Sequence, residues 1–442
     1  MKFGGTSVGN AKNMDKVLDI ARSMVVQPVV LVSSAMTKVT DALIKIAEQA
    51  AANQGSELQV TLDGLRELHF NTIRELLGDD HAAGAAALEV LFAELSSLSR
   101  GLLLIREVSS RSRDALLSFG ERLSTVILYQ RAVQRGMKAR LLDARTVIKT
   151  DEQFGSAHII KDATYQAISR ELGLAPGELV ITQGFIGSTL KGVTSTLGRG
   201  GSDYSGTIFG AALQASEVQI WTDVDGIMTT DPRIVPEARV IRSISYTEAA
   251  ELSFFGAKVI HPSTIQPAVE LGIPVWVKNT MNPAAIGTEI IPETNGSGLL
   301  AIAGKKGISV VTVRSSRMLN AYGFLRSMFQ VFEEHKVSVD LIATSEVSVS
   351  VTVDDPTHLK QVIHDIATFA EVEVEHDQAI VCLVGKQLWK DAAFVGRAFS
   401  ALEGIPLRMV SLGSSDVNLS LVVSKHDMEQ AIKKLHNSLF GR

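Results

Sequence analysis

The sequence predicts an α/β fold, a mostly parallel sheet between layers of helices, followed by a smaller α+β region. Three observations carry this reading. Short continuous apolar runs, of which Val29-Val30-Leu31-Val32 is the clearest, alternate with helical patterns through the first part of the chain. Glycine-rich turns stand where such runs end, the phosphate-facing corner of an α/β sheet. Beyond the polar, turn-rich stretch Pro292-Glu293-Thr294-Asn295-Gly296-Ser297-Gly298, the texture changes to short alternating strands and short helices. The first domain is therefore expected over residues 1–292 and a second region over 299–442.

A chain of 442 residues exceeds the size at which one core keeps growing, so two or three domains are expected. The formal charge of −5 is spread without any lysine or arginine run, which argues against a nucleic-acid or membrane-surface role. The one cysteine, Cys382, excludes an intrachain disulfide and fits a reducing compartment. No apolar run approaches the ~20 residues needed to cross a bilayer and no signal peptide is recognised, so the expected location is the cytoplasm.

In chain order, Lys2-Phe3-Gly4-Gly5-Thr6-Ser7-Val8 is a strand end feeding a turn, followed by an amphipathic helix over about residues 13–23. The apolar strand at Val29 ends in the hydroxyl-rich run Ser33-Ser34-Ala35-Met36-Thr37-Lys38-Val39-Thr40. A helical pattern fills residues 41–52 and 57–135, interrupted near Gly78 to Gly84 and by Phe119-Gly120-Glu121-Arg122-Leu123-Ser124. Further strands are expected at 139–143, 179–182 and 218–222, the last entering the tight turn Asp223-Val224-Asp225-Gly226. Neither the P-loop pattern nor G-x-G-x-x-G is present, so any nucleotide site is of another kind.

The densest chemistry lies in Gly198-Arg199-Gly200-Gly201-Ser202-Asp203-Tyr204-Ser205-Gly206. Its glycines let backbone N–H groups approach an anion, and the segment 207–216 reads as a helix whose N-terminus adds to that effect. Arg199 supplies a fork for a carboxylate or phosphate, and Asp203 makes sense beside Mg²⁺ or a lysine. Two separated glycine turns, one led by Lys2 and one carrying Asp203, suggest ATP-dependent phosphoryl transfer, in which positioning and charge neutralisation supply most of the catalysis. Glu121 reads either as a first-turn acid or, with Arg199, as a pair suited to the ammonium and carboxylate of an amino acid. His261, ahead of Pro262, reads as a structural histidine.

In the second region a repeat is visible at an offset of 70, aligning Phe324 with Phe394, Phe329 with Phe399, Ser345 with Ser415, Glu346 with Asp416 and Val347 with Val417. Each copy reads strand, helix, strand, strand, helix, and the spare strand at 299–303 is expected to complete the second copy. The first copy, 308–376, would then be an insertion within the second, 299–307 plus 377–442.

Lys2-Phe3-Gly4-Gly5-Thr6-Ser7, Phe119-Gly120-Glu121-Arg122-Leu123-Ser124, Gly198-Arg199-Gly200-Gly201-Ser202-Asp203-Tyr204, Trp221-Thr222-Asp223-Val224-Asp225-Gly226, Thr230-Asp231-Pro232-Arg233 and Phe255-Gly256-Ala257-Lys258-Val259 follow one another along the chain. In this set and order the sequence resembles the monofunctional, lysine-regulated aspartokinases over essentially its whole length. The resemblance implies an amino acid kinase fold followed by two ferredoxin-like ACT domains. It implies transfer of the ATP γ-phosphate to the β-carboxylate of L-aspartate, the step that opens lysine, threonine and methionine biosynthesis, with Mg²⁺ held mainly through the ATP phosphates. Carried over, Lys2 and Asp203 are the catalytic pair, and Ser34, Thr40, Glu121, Arg199 and Ser202 contact the amino acid. Lys2, Gly4, Gly5, Thr222, Asp223, Arg233 and Lys258 contact ATP. Met318, Gly323, Phe324, Leu325, Ser338, Val339, Asp340, Thr344, Ser345 and Glu346 fall on the allosteric positions for lysine. The resemblance also implies a homodimer or dimer of dimers, paired through the ACT domains.

Two departures stand out. Met228 takes a position often held by an aromatic residue bordering the base, and Asn320-Ala321-Tyr322 replaces the family's usual triplet beside the effector, which bears on lysine as the effector. Within the enzyme class another amino acid kinase would share the fold, though the ACT pair and the motif at Phe119 favour aspartate. Outside it, an amino-acid sensor with a relic kinase half is the alternative, and intact Lys2, Glu121, Arg199 and Asp203 weigh against decay. A fused homoserine dehydrogenase is not expected at this length.

Overall fold

The computed structural model describes residues 1–24, 27–173, 175–256, 260–294, 296–318 and 322–441. The chain forms two compact units: Met1–Ile227 with Arg242–Tyr246 and Ile260–Glu293, and Met228–Ile241 with Thr247–Val259 and Thr294–Arg442.

The first unit is built on an eight-stranded sheet, in the order Ala139–Leu142, Leu179–Gln183, Val29–Ser33, Lys2–Phe3, Val218–Thr222, Val275–Asn279, Thr288–Ile291 and Ser243–Ser245. Pairing is parallel except between Val275–Asn279 and Thr288–Ile291. The central strands are mostly apolar because helices cover both faces: Phe3, Leu31, Val180, Ile181 and Ile220 are all buried, and the polar exceptions Lys2, Ser33, Thr182, Gln183 and Gln219 are buried with them. The helical stretch resolves into Val39–Ala51, Gly55–Leu77, Ala82–Ile105, Ser110–Leu117 and Phe119–Gln134, which share one core with the helix Ala11–Met24. A small sheet of Lys149–Thr150, Ile186–Thr189 and Thr194–Thr196 leads into the glycine loop at Gly198. The helix after that loop is Gly201–Ala212 rather than 207–216, so Ser202 and Asp203 lie in its first turn.

The second unit carries a six-stranded antiparallel sheet in the order Ile342–Thr344, Ser348–Val353, Gly298–Arg314, Glu371–Lys386, Asn418–Ser424 and Met409–Leu412. Its two long central strands serve both repeats. Leu299 to Lys306 pairs with Gly385 to Ala379 and Val310 to Arg314 with Glu375 to Glu371, with register shifts between these stretches. The strand at Leu299 thus completes the second repeat, whose helices are Ala392–Ala401 and Met428–Phe440, while the first repeat carries Phe324–Glu334 and Leu359–Ile366. Two segments that precede residue 292 belong to this unit. Thr229 O accepts from Ile302 N at 2.7 Å, Val235 is buried among Ile302, Leu383 and Leu435, and Asn418 Nδ2 donates to Glu251 Oε2 at 2.7 Å. Among the described residues no helix is long and apolar enough to cross a membrane.

Candidate active site

The parallel strands Lys2–Phe3, Val29–Ser33, Leu179–Gln183 and Val218–Thr222 end side by side, and the predicted catalytic residues cluster at those ends. In such sheets the strand C-termini open a crevice where ligands bind.

Lys2 is a buried cation on the central strand, and its Nζ lies 2.6 Å from Asp203 Oδ1. A glycine stands close beside the pair. Asp203 and Gly206 are three residues apart and share a helix face, and a Cβ at Gly206 would lie 3.0 Å from Lys2 Cβ. Ahead of the helix, Gly198 and Gly200 hold φ of 74° and 71°, a left-handed backbone that turns the loop so Gly201 can open the helix. Ser202 is half-buried in that first turn, and Arg199 is exposed on the loop.

The turn after Lys2 is tied to its neighbours. Gly4 N donates to Trp221 O at 3.1 Å, so this N–H is occupied, and a Cβ at Gly4 would lie 3.7 Å from Lys2 Nζ. Gly5 O accepts from Thr37 Oγ1 at 3.0 Å, which fastens the turn to the loop of Ser34. Thr222 ends the adjoining strand, where its hydroxyl donates to Asp223 Oδ1 at 3.1 Å, and Asp223 is exposed.

Glu121 lies in the first turn of Phe119–Gln134 and is 4% exposed, so its carboxyl is not a solvated capping acid. Its Oε1 accepts from Ala35 N at 3.2 Å. Burial pushes its pKa up to about 8, against the opposing pull of the Ala35 N–H and the Lys2 charge. Ser124 Oγ donates to Ser34 O at 2.7 Å, and Ser34 N to Phe3 O at 3.1 Å, so the Glu121 helix, the Ser34 loop and the Lys2 strand form one connected floor. Gly184 continues it: its N donates to Ser33 O at 2.9 Å, and its Cα packs directly against Ser202. Thr40 is half-buried in the first turn of Val39–Ala51.

The structure therefore gathers Lys2, Gly4, Gly5, Ser34, Glu121, Ser202, Asp203 and Thr222. Arg233 belongs to the second unit, where it is exposed and forks onto Asp231 through Nε at 3.0 Å and Nη2 at 2.7 Å, holding that carboxyl below its ordinary range. Lys258, Asn320 and Ala321 lie outside the described residues. His261 is exposed, its Nδ1 lying 2.7 Å from Ser263 Oγ ahead of the helix Pro262–Glu270.

The predicted effector residues fall into two groups within the first repeat. Met318 N donates to Ser315 O, Ser315 N to Val347 O, and Ser345 closes the turn to Ser348, so Met318, Thr344, Ser345 and Glu346 share one end of the sheet. Gly323 caps the helix that starts at that end, Phe324–Glu334, with Leu325 exposed on it. Ser338 and Val339 lead into Asp340, whose N donates to Thr352 O, four strand positions away and so roughly 13 Å off at about 3.3 Å per residue. The Asp340 carboxyl is 2% exposed, pushed up by burial, and lies 3.5 Å from Lys305 Nζ. Lys305 also pairs with Asp354 at 2.8 Å and sits 4.3 Å over the Phe254 ring.

Sequence reading passed over two buried groups near the floor. Gln183 bonds Ala144 N and Thr125 Oγ1, and Asp114 bonds Gly155 and Thr196. Each looks like an ordinary polar residue until the fold buries it.

The amino acid kinase family profile matches residues 1–279, and an ACT domain profile matches 311–363 and 381–439. Lysine-sensitive aspartokinase 3 of Escherichia coli K12 is 38% identical over 99% of this chain and 98% of its own length. The chloroplastic aspartokinase 1 of Arabidopsis thaliana is 38% identical over 100% of this chain and 80% of its own. The crystal structure of E. coli aspartokinase III with aspartate and ADP, an R-state, superposes with a TM-score of 0.85 at 38% identity, covering 99% of both chains. The T-state of that enzyme with lysine and aspartate gives 0.82 at 37% identity, covering 99% of this chain and 98% of that one. Likeness of this extent, spanning both units and joined to a kinase floor whose motif residues converge, makes the chain a member of the aspartokinase family.

Proposed function

We propose that this chain transfers the γ-phosphoryl group of ATP to the β-carboxylate of L-aspartate, with lysine as its feedback inhibitor. The observation that carries the reading is the buried Glu121 carboxyl within reach of the Lys2 charge, beside the Lys2–Asp203 pair at the strand ends. A floor with one cation for a phosphoryl group and one buried carboxyl, which takes an ammonium once it sheds its proton, suits a zwitterionic acceptor. The E. coli relative solved with aspartate and ADP supports the same pair of ligands.

A β-carboxylate oxygen bonds to the γ-phosphorus as the bond from phosphorus to the ADP oxygen breaks, and the leaving electron pair stays on ADP. The attacking carboxylate, with an ordinary pKa near about 3.9, is already ionised, so no side chain need act as a base. Lys2 lies against the transferring group as a point charge, and Asp203 aims its ammonium. Glu121 takes the aspartate ammonium and Arg199 the α-carboxylate, with Ser34, Thr40 and Ser202 along the acceptor. Gly5, Thr222, Asp223, Arg233 and Lys258 serve ATP.

Mg²⁺ fits this site, because it is commonly held through one or two carboxylates plus substrate phosphates, and Asp203 offers a carboxylate at the loop. When bound it neutralises phosphate charge.

Lysine would place its ammonium at Asp340, in competition with Lys305, and its carboxylate near Gly323. Within one copy these two ends lie too far apart for one small ligand, which supports a site completed by a second copy paired through the ACT sheets. Inhibition then works by linkage, lysine favouring a state less competent in catalysis. The test is ATP-dependent formation of aspartyl hydroxamate, with and without lysine, threonine or methionine. Activity suppressed by lysine alone supports both halves of the reading; inactivity with aspartate overturns the first, and indifference to lysine the second.

A further inference from the structure

Asp114 lies on the helix Ser110–Leu117 and is 1% exposed. A buried carboxylate is costly unless its oxygens are satisfied, and these are. Oδ2 accepts from Gly155 N at 3.0 Å and Thr196 N at 2.8 Å, and Oδ1 accepts from Thr196 Oγ1 at 2.8 Å. Burial still pushes its pKa upward, so these bonds offset the desolvation only in part.

What Asp114 holds matters more than how it is held. Thr196 ends the strand Thr194–Thr196, and Arg199 follows three residues later. Between them Leu197 N donates to Phe185 O at 2.9 Å, and Gly198 O accepts from Gly201 N at 3.0 Å. Gly155 and Ser156 form the wall against which Gly198 lies; a Cβ on Gly198 would come 3.0 Å from Ser156 Cβ. Through Thr196 and Gly155, the Asp114 side chain fixes the loop of Arg199 from two sides.

Its main chain fixes the other end of the clamp. Asp114 O accepts from Ser118 N at 3.0 Å, and Ser118 O accepts from Arg122 N in the first turn of the helix bearing Glu121. Glu121 follows Ser118 by three residues, as Arg199 follows Thr196.

We propose that Asp114 is a positioning residue for the amino-acid acceptor: it sets the spacing between Glu121 and Arg199, the groups that take the acceptor's ammonium and α-carboxylate. The inference rests on the roles given to Glu121 and Arg199 above. A rigid zwitterion needs both charges met at once, so a loop free to drift loosens acceptor binding while leaving the phosphate contacts in place.

The test is steady-state kinetics of the full chain carrying Asp114→Ala, Asp114→Asn, Thr196→Val or Arg199→Ala, read as separate KM values for aspartate and ATP, with folding checked by circular dichroism. Asp114→Ala raises the aspartate KM on the order of tenfold while the ATP KM holds within about twofold. Asp114→Asn recovers most of this, because the amide oxygen can take the place of Oδ2 and accept from both backbone N–H groups while the amide NH2 donates to the Thr196 hydroxyl. Combined with Arg199→Ala, Asp114→Ala adds less than its own effect, as expected of one residue acting through another. Thr196→Val deletes only the hydroxyl contact and raises the aspartate KM by about threefold, which carries the test should the alanine variant fail to fold. Equal changes in both KM values, an asparagine variant as impaired as the alanine one, or an unchanged aspartate KM in Thr196→Val each overturns the proposal. An unchanged aspartate KM in Arg199→Ala instead overturns the role of Arg199, a separate result.

Discussion

Burial pushes the Glu121 carboxyl up to about 8 from an ordinary 4.5, and a carboxyl that is to hold an ammonium must first shed its proton. The folded pKa is the higher one, so the folded chain binds this proton more tightly. The stability it contributes is full below pH 4.5 and is lost as pH rises through about 8. Chemical denaturation midpoints, compared between the natural chain and Glu121→Gln, are expected to converge at low pH and to favour the glutamine variant above about pH 8. The aspartate KM of the natural chain is expected to fall from about pH 6 to 8, and that of Glu121→Gln to be raised and nearly flat; equal pH dependence in both would remove Glu121 from the acceptor site. Asp203 acts through an ion pair. Its ion pair with Lys2 is mostly buried, with side chains 16% and 10% exposed, and removing one partner of such a pair costs about 3–5 kcal/mol by leaving the other uncompensated. Asp203→Asn is therefore expected to lower kcat by at least about a hundredfold by misplacing charge. A pH-rate profile in which Asp203 titrates as a base would defeat that view. Lys2 and Asp203 were legible in the sequence because glycines beside a lone charge are rarely idle. Asp114 was not, since an aspartate after Arg111, Ser112 and Arg113 reads as a solvated charge, and only the tertiary fold brings Thr196 over it.

The helix Gly201–Ala212 shows why element boundaries are harder to read than element kinds. Its opening residues include Gly201 and Gly206, poor helix formers by up to about 1 kcal/mol each, so propensity pointed to a later start at residue 207. A tertiary contact supports the early start, since Ser205 Oγ accepts from Phe185 N at 3.0 Å, while Tyr204 N donates to Gly200 O at 3.0 Å as a bond of the first helical turn. The early start puts Asp203 one turn before Gly206 on the face that meets Lys2. Gly206→Ala would set a methyl 3.0 Å from Lys2 Cβ, a contact that one of the two must relieve by a few tenths of an ångström. The expected outcome is a drop in kcat on the order of tenfold with a thermal midpoint changed by only a few degrees. A kcat held at the natural level would show that Lys2 reaches its working position without that clearance.

The regulatory unit was legible as a repeat because matching residues recur at one offset, and the pairing of Leu299 to Lys306 with the second repeat follows from strand counting. The separation of the expected effector residues was not legible, since sequence order does not say which end of a strand pair a residue occupies. With Asp340 level with Thr352, and Ser345 level with Ser348, the expected effector residues of one copy lie toward opposite ends of the strand Ser348–Val353. Two copies pairing with opposed strand directions would set the Asp340 end of one against the Met318 and Ser345 end of the other, giving two complete sites per pair. This geometry has a consequence that a site within one copy would lack. A chain carrying Asp340→Ala and a chain carrying Ser345→Leu are each expected to lose lysine inhibition alone. Mixed and re-paired, they form hybrids in which both lesions fall in one site and the other site is intact. Lysine inhibition is then expected to return in part, read as aspartyl hydroxamate formation against lysine concentration. Mixtures that stay as resistant as either parent, although hybrid pairs are demonstrated by differently tagged chains, would show that the two groups never meet across copies.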